Sequence, residues 1–332
     1  MEWVPLPAPI NPLAAVRRST AGVCERAVHV SLNDAAVEQL ATMWASDGGE
    51  GGATIGWNTL GWHYSEDAAT GGNLTCTYVF VLEDCLNFCF WPTPGLEYEH
   101  LAFGLKAAVQ RDPLALTADR LATATEDTIR GWFSGFEIPQ IAERAEKLRE
   151  LGCVLQAHFG GEAAMLVARA ARSAARLVRL LTCLLPGFRD EAIHQGRQCF
   201  FYKRAQILTA DLWAAYGRPP VGSGSVYAFE DIGELTNFAD YRVPQILAHL
   251  GVIKYNQALE EKIEGLQHVQ AGSEEEVEIR ASCVQAVEGL RDALARRNVL
   301  VTSVEIDWRL WHEGERIKKN IRPHHRTLTC FY

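Results

Sequence analysis

Motifs of metal and nucleotide chemistry are missing from this sequence of 332 residues. It has no CxxC pair, and Cys85 and Cys89 have no second thiol pair or nearby HxxxH to complete a zinc site. No HxH, HExxH or DxD occurs, so neither a metal nor a cofactor is expected. GxGxxG, GxxxxGK[ST] and GxSxG are also missing, which leaves dinucleotide-fold, P-loop and α/β-hydrolase readings without their signatures. Basic charge is in deficit: 32 Lys and Arg face 41 Asp and Glu, for a net charge of −9. Stable binding to DNA or RNA rests mostly on neutralising phosphates and is not expected, whereas a mononucleotide needs only a few local cations. The longest apolar run, near 177–185, contains Arg179 and stops at Pro186, so no membrane span is expected. The first residues, Met1-Glu2-Trp3-Val4-Pro5-Leu6-Pro7, carry neither a basic stretch nor a long apolar one. No secretory signal is expected there, and the expected location is cytoplasmic.

What is present reads as an ordinary folded protein. Apolar residues make up 48% and charged residues 22%, and 9 Trp, 9 Tyr and 13 Phe demand burial. The nine Cys lie mostly in apolar runs and are expected to be reduced, buried thiols. Helical periodicity dominates, and the expected fold is all-α: one globular domain over 1–332, with a loop-rich N-terminal region and residues 1–30 as an extended arm. Asn33-Asp34 marks a helix start, and the glycine-rich stretch 46–73 reads as loop. Helices are expected near 77–91, 98–110, 118–133, 138–158, 162–185, 197–216, 231–238, 243–250, 257–267, 274–297 and 303–317. Gly217–Ser225 reads as a surface loop, and the tail 327–332 as extended.

Several segments combine residues that carry chemistry. Arg169, Arg172, Arg176 and Arg179 share one helix face and read as a solvated stripe or a phosphate contact. His324 and His325 are adjacent, so on extended chain they point to opposite sides and do not chelate together. In Phe201-Tyr202-Lys203-Arg204-Ala205-Gln206, Lys203 lies in an apolar run and calls for an anion, either a carboxylate or a substrate phosphate. Asp240, in Asn237-Phe238-Ala239-Asp240-Tyr241-Arg242-Val243-Pro244, is either a helix-start residue or a carboxylate facing a stacking pocket lined by aromatics. In Ile306-Asp307-Trp308-Arg309-Leu310-Trp311-His312, two indoles, an acid and an imidazole share a helix edge able to grip a flat heterocycle, or else pack the core with polar tips outward.

Taken together, the strings LNFCFWP (86–92), FYKRAQIL (201–208), NFADYRVPQIL (237–247), EVEIR (276–280) and IDWRLWH (306–312) resemble the queuosine salvage family of queuosine 5′-phosphate N-glycosylases. The resemblance runs from about Ala35 to Tyr332. It implies an all-helical fold related to the helix-hairpin-helix DNA glycosylases. It also implies hydrolytic release of queuine from queuosine 5′-monophosphate, without metal or cofactor. The catalytic carboxylate of the family falls on Asp240 and the base-pocket residues on Phe238, Asp307 and Trp308. His312 stands where the family often has a second Asp, so an imidazole that donates replaces a carboxylate that accepts. Lys203 is the expected phosphate contact, and His100 a candidate for the pocket edge. Two other readings compete: a DNA or RNA glycosylase of the same fold, and a non-enzymatic queuine carrier that keeps Phe238, Asp307 and Trp308 but has no use for Asp240.

Overall fold

A computed structural model describes residues 9–46, 57, 60–66, 72–133 and 135–332. Among these the chain is mostly helical. In chain order the elements are α1 (Pro12–Cys24), β1 (Val30–Leu32), α2 (Asp34–Ser46), α3 (Asn73–Phe80), a π-helical turn (Val81–Leu86), α4 (Tyr98–Arg111), α5 (Ala118–Ala122), α6 (Glu126–Trp132), α7 (Ile141–Phe159), α8 (Ala163–Arg169), α9 (Ala174–Leu184), β2 (Glu191–His194), β3 (Arg197–Phe200), α10 (Lys203–Ala215), α11 (Arg242–His249), β4 (Ile253–Tyr255), α12 (Gln257–Glu264), α13 (Glu274–Ala295) and α14 (Ser303–Ile317). The strands make two small antiparallel pairs. In the first, Val30 faces Tyr255 and Leu32 faces Ile253; in the second, Glu191 faces Phe200 and His194 faces Arg197.

The organising element is α13, which α1, α2, α11 and α14 contact. Its side chains are buried on nearly every side, the pattern of a helix in the middle of a domain. The buried charges on it are partnered, as burial requires. The Glu278 carboxylate accepts the backbone N–H groups of Val28, His29 and Val30 at 3.0, 2.7 and 3.1 Å and so fixes the start of β1. Glu288 accepts from Arg17 at 2.8 Å and from the Ser303 hydroxyl at 2.7 Å, joining α1 and α14 to α13. Gly152 permits the α5–α7 crossing, because a side chain there would strike the backbone of Ala122 and Ala118.

The expected extended arm is corrected over Pro12–Cys24, which is helical. Asn11 caps it by accepting the Ala14 N–H at 3.0 Å, Pro12 occupies a first-turn position that needs no donor, and Leu13, Val16 and Val23 are buried. Residues 1–8 and most of the glycine-rich stretch lie outside the described residues. The helix expected over 162–185 is two: Ala171 and Arg172 adopt left-handed φ of 49° and 62°. Asp231 then accepts from the Ser173 hydroxyl at 2.8 Å and from the Ala175 N–H at 3.1 Å, starting α9 afresh. The helix expected over 197–216 begins only at Lys203, after the β2–β3 hairpin and a left-handed Tyr202. The run 77–91 is helical only as far as the π-helical turn, and 118–133 is split into α5 and α6. Within 231–238 only Ile232–Glu234 form a 3₁₀ turn. The thiols of Cys76, Cys85, Cys89, Cys199 and Cys283 are buried as expected, but Cys153 and Cys183 are exposed. Among the described residues no single helix is long and apolar enough to cross a membrane.

Candidate active site

Several segments of the chain converge on one deep pocket of about 1120 Å³, part of it open to solvent. One wall is α10, where Lys203, Ile207, Asp211 and Ala214 recur at helical spacing and point the same way. The facing wall is α14, which presents Asp307, Trp308, Trp311, His312 and Glu315. Between them the loop that leads into α11 contributes Phe238, Asp240 and Tyr241, and the chain after the π-helical turn contributes Asn87 and Phe90. Trp57, Leu60, Trp62 and His63 line another side, with Glu97 and Tyr98 from the start of α4.

The motif strings read in the sequence are the parts that hold this pocket. The Phe238 N–H donates to Asp307 Oδ1 at 2.8 Å, tying the loop to α14. Asp240 Oδ1 accepts the N–H groups of Arg242 and Val243, both at 2.9 Å. Asp240 thus starts α11, as an ordinary capping residue does, and also lines the pocket. Arg280 on α13 forks onto Asp190 at 2.8 and 2.6 Å and donates through Nε to the Ala239 carbonyl at 3.0 Å. Asp190 in turn accepts the Lys203 N–H at 3.1 Å. One buried guanidinium–carboxylate pair therefore positions the backbone beside both Asp240 and Lys203. Gln206 adds a second tie, accepting the Thr236 N–H at 2.8 Å and donating to the Phe201 carbonyl at 2.9 Å.

The electrostatics are those of acids crowded around one ammonium. Burial, reinforced by the Asp240 charge, pushes the Asp307 carboxyl up to about 8, against the Phe238 N–H and the Lys203 charge. Burial also raises Asp240, opposed by Lys203 and by its two backbone N–H donors. Burial lowers Lys203, and the Glu83 and Asp240 charges oppose that. Beside Asp211 lies Glu83, carried in by the π-helical turn; it accepts from Asn87 Nδ2 at 2.5 Å and lies 3.2 Å from the Tyr98 hydroxyl. Glu83 and Asp211 are hydrogen-bonded to each other, and burial raises both. His63 is lowered to about 4 by burial; its Nδ1 contacts the Trp57 carbonyl at 2.6 Å and its Nε2 the Tyr98 hydroxyl at 2.9 Å. Burial lowers His312 also, against the Glu315 charge.

Phe238, Asp240, Asp307, Trp308, His312 and Lys203 are thus brought together. His100 is not: it does not line the pocket, its Nδ1 accepts the Glu97 N–H at 3.0 Å within the cap of α4, and its ring lies 4.6 Å from that of Phe136. The arginine stripe is exposed, with Arg172 paired to Glu230 at 3.0 Å. His324 stacks on Tyr241 at 4.3 Å, and His325 is buried against the Tyr332 hydroxyl at 3.2 Å. Among the described residues no group of three or more His, Cys, Asp or Glu is arranged to hold a metal ion. Sequence reasoning missed Asp211, Tyr98 and the aromatic group Trp57, Trp62 and His63, and gave Asn87 no role within its string. The eight-residue interval from Lys203 to Asp211 is a helical repeat that points to the first of these; nothing local points to the rest.

Comparison with known proteins completes the description. The family model described as "Queuosine salvage protein" matches residues 63–332. The chain is 42% identical over 328 residues to the queuosine 5′-phosphate N-glycosylase/hydrolase of Dictyostelium discoideum, covering 97% of this chain and 100% of that one. It is 40% identical over 328 residues to the protein of the same name from Sphaerobacter thermophilus, covering 96% and 97%. With the Mus musculus protein of that name the identity is 33% over 293 residues, covering 81% and 83%.

Proposed function

The chain belongs to the queuosine salvage family, and from that premise we propose that it hydrolyses the N-glycosidic bond of queuosine 5′-phosphate. The products are queuine, available for reuse in tRNA modification, and ribose 5-phosphate. The observation that carries the mechanism is the pair Asp240 and Asp307. Both line one aromatic pocket, and Asp307 is the one held protonated up to about pH 8. Two carboxyls with separated proton affinities divide the work of an acid and an anion.

Breaking the bond between C1′ and N9 builds positive charge on the ribose. Asp240, whose ionised form Lys203 and two backbone N–H groups favour against burial, stabilises that charge from the pocket wall. The electron pair of the bond leaves with the base. Because a 7-deazaguanine has no N7 to protonate, relief must come at another edge, and Asp307 is the protonated group that supplies it. Water adds to C1′ and gives up a proton, which Asp240 accepts; solvent exchange returns a proton to Asp307. Phe238 and Trp308 hold the flat base by stacking. Lys203 meets the 5′-phosphate as a point charge, and His312 donates at the pocket edge. The kinship with helix-hairpin-helix DNA glycosylases rests on the family resemblance, with which a mostly helical architecture agrees. An acid-lined pocket and a net charge of −9 favour the free nucleotide over a polymer.

Asp240→Asn keeps the shape and the capping of α11 but removes the charge. On a variant shown to be folded by circular dichroism, single-turnover rates should fall by about 10³-fold while queuosine 5′-phosphate still binds. Near-normal turnover would remove Asp240 from the mechanism and leave it a helix cap. A carrier would bind queuine equally well in both forms and release none from the nucleotide.

A further inference from the structure

The acid pair Glu83–Asp211 lies beyond the residues assigned to the reaction, yet Asp211 lines the same pocket and Glu83 is buried behind it. Three features define it. First, a π-helical turn, a local widening that recurs at functional sites, carries Glu83 into the fold, where the residue is fully buried. Second, Asn87 donates to Glu83, the Tyr98 hydroxyl lies 3.2 Å from it, and Asp211 is its carboxyl neighbour. Two carboxyls in hydrogen-bond contact need a proton between them, since two buried anions at that range repel strongly. Because the Asn87 amide donates to Glu83, the anion resides there and Asp211 carries the proton. Third, Lys203 stands two helical turns before Asp211 on α10, and its buried ammonium feels the charges of both Glu83 and Asp240.

We propose that Glu83 and Asp211 share one proton and act as positioning residues: their single negative charge keeps the buried Lys203 ammonium protonated, and Lys203 in turn keeps Asp240 ionised. The inference rests on the proposed roles of Lys203 and Asp240. The result is a row of alternating charge, pair, ammonium, carboxylate, running from the π-helical turn to the loop before α11. The groups facing Lys203 are Glu83 from the π-helical turn, Asp211 and Arg204 from α10, Asp240 from the loop and Asp307 from α14. Those facing the pair are Lys203, Asp307, Asn87 and Tyr98, with His63 behind Tyr98. Without the pair, the ammonium has Asp240 as its main remaining counter-charge. It then loses its proton at lower pH, and the site loses activity from the alkaline side.

The test uses amide substitutions, which imitate a protonated carboxyl. Asp211→Asn replaces the protonated member, so the alkaline limb of its pH–rate profile should stay at the wild-type pH, whatever its absolute rate. Its infrared spectrum should lack one protonated-carboxyl stretch and keep every carboxylate band. Glu83→Gln/Asp211→Asn removes the charge. Its alkaline limb should move down by about one pH unit or more, with about tenfold lower turnover at pH 7, far beyond the product of the single effects. Loss of a carboxylate band in Asp211→Asn, or an unchanged alkaline limb in the double variant, would overturn the proposal. If the double variant fails to fold, the infrared spectrum of Asp211→Asn decides alone. Failure of the underlying reading looks different: the wild-type protein itself would release no queuine.

Discussion

Asp307→Asn should make the protein more stable and less active, and the gain should depend on pH. The wild-type carboxyl ionises at about 8 in the folded chain against an ordinary value of 3.8. Below pH 4 the group is protonated whether the chain is folded or not, and it has no effect on the balance. Between pH 4 and 8 the folded state holds a proton that the unfolded state has released, so stability falls as pH rises, by up to ~1.4 kcal/mol per pH unit. The whole interval corresponds to a ceiling of about 6 kcal/mol; allowing for relaxation around the charged form, about 2–4 kcal/mol is expected at pH 8. Asparagine keeps an oxygen to accept the Phe238 N–H and does not titrate. For a chain of this size the difference amounts to a melting temperature roughly 3–6 °C higher for the variant at pH 8, shrinking steadily toward pH 5. Thermal melts of both proteins at pH 5, 6, 7 and 8, followed by circular dichroism, measure it. A difference that does not change with pH, or a wild type more stable than the variant at pH 8, would refute the reasoning, since either result means that Asp307 is ionised in the folded protein. Stability held below its maximum at a reacting group is the usual trade with activity.

Other expectations follow from the same geometry. Single-turnover rates should decline as pH rises through about 8, where Asp307 loses its proton, and Asp307→Asn should abolish that limb along with most of the rate. Lys203→Ala should lower kcat/KM on queuosine 5′-phosphate by about 10–150-fold more than on the nucleoside, where only its support of Asp240 is lost; equal losses would remove Lys203 from phosphate binding. Arg280→Lys leaves Asp190 without its fork and should cost about 3 kcal/mol in urea unfolding, with unaltered unfolding counting against the positioning role of this pair.

Much of the architecture was readable because its helices carry their own signals. The helices α4, α11, α12, α13 and α14 lie within a few residues of the spans that apolar periodicity marks. What misled was context supplied from far along the chain. The prolines before Leu13 suggest an extended arm, yet Asn11 and the buried contacts of α1 turn them into a helix start. Nothing in Ala170-Ala171-Arg172 favours left-handed backbone; the break exists because Asp231 captures the start of α9. At the site, Phe238, Asp240, Asp307, Trp308, His312 and Lys203 were legible as members of motif strings, and the structure places them around one pocket. His100 was misplaced because a histidine near the start of a helix serves equally well as a cap. Glu83 was not singled out, and Tyr98 and His63 were missed, because their pairing joins the π-helical turn, α4 and a glycine-rich loop.

The central claim is the reaction, and its most direct measurement is mass spectrometry of purified protein incubated with queuosine 5′-phosphate. The account predicts free queuine and ribose 5-phosphate in equal amounts, accumulating over many turnovers without added metal or cofactor, and neither product beyond background with Asp240→Asn. Intact queuosine 5′-phosphate after prolonged incubation, or queuine formed equally well by Asp240→Asn, would contradict it.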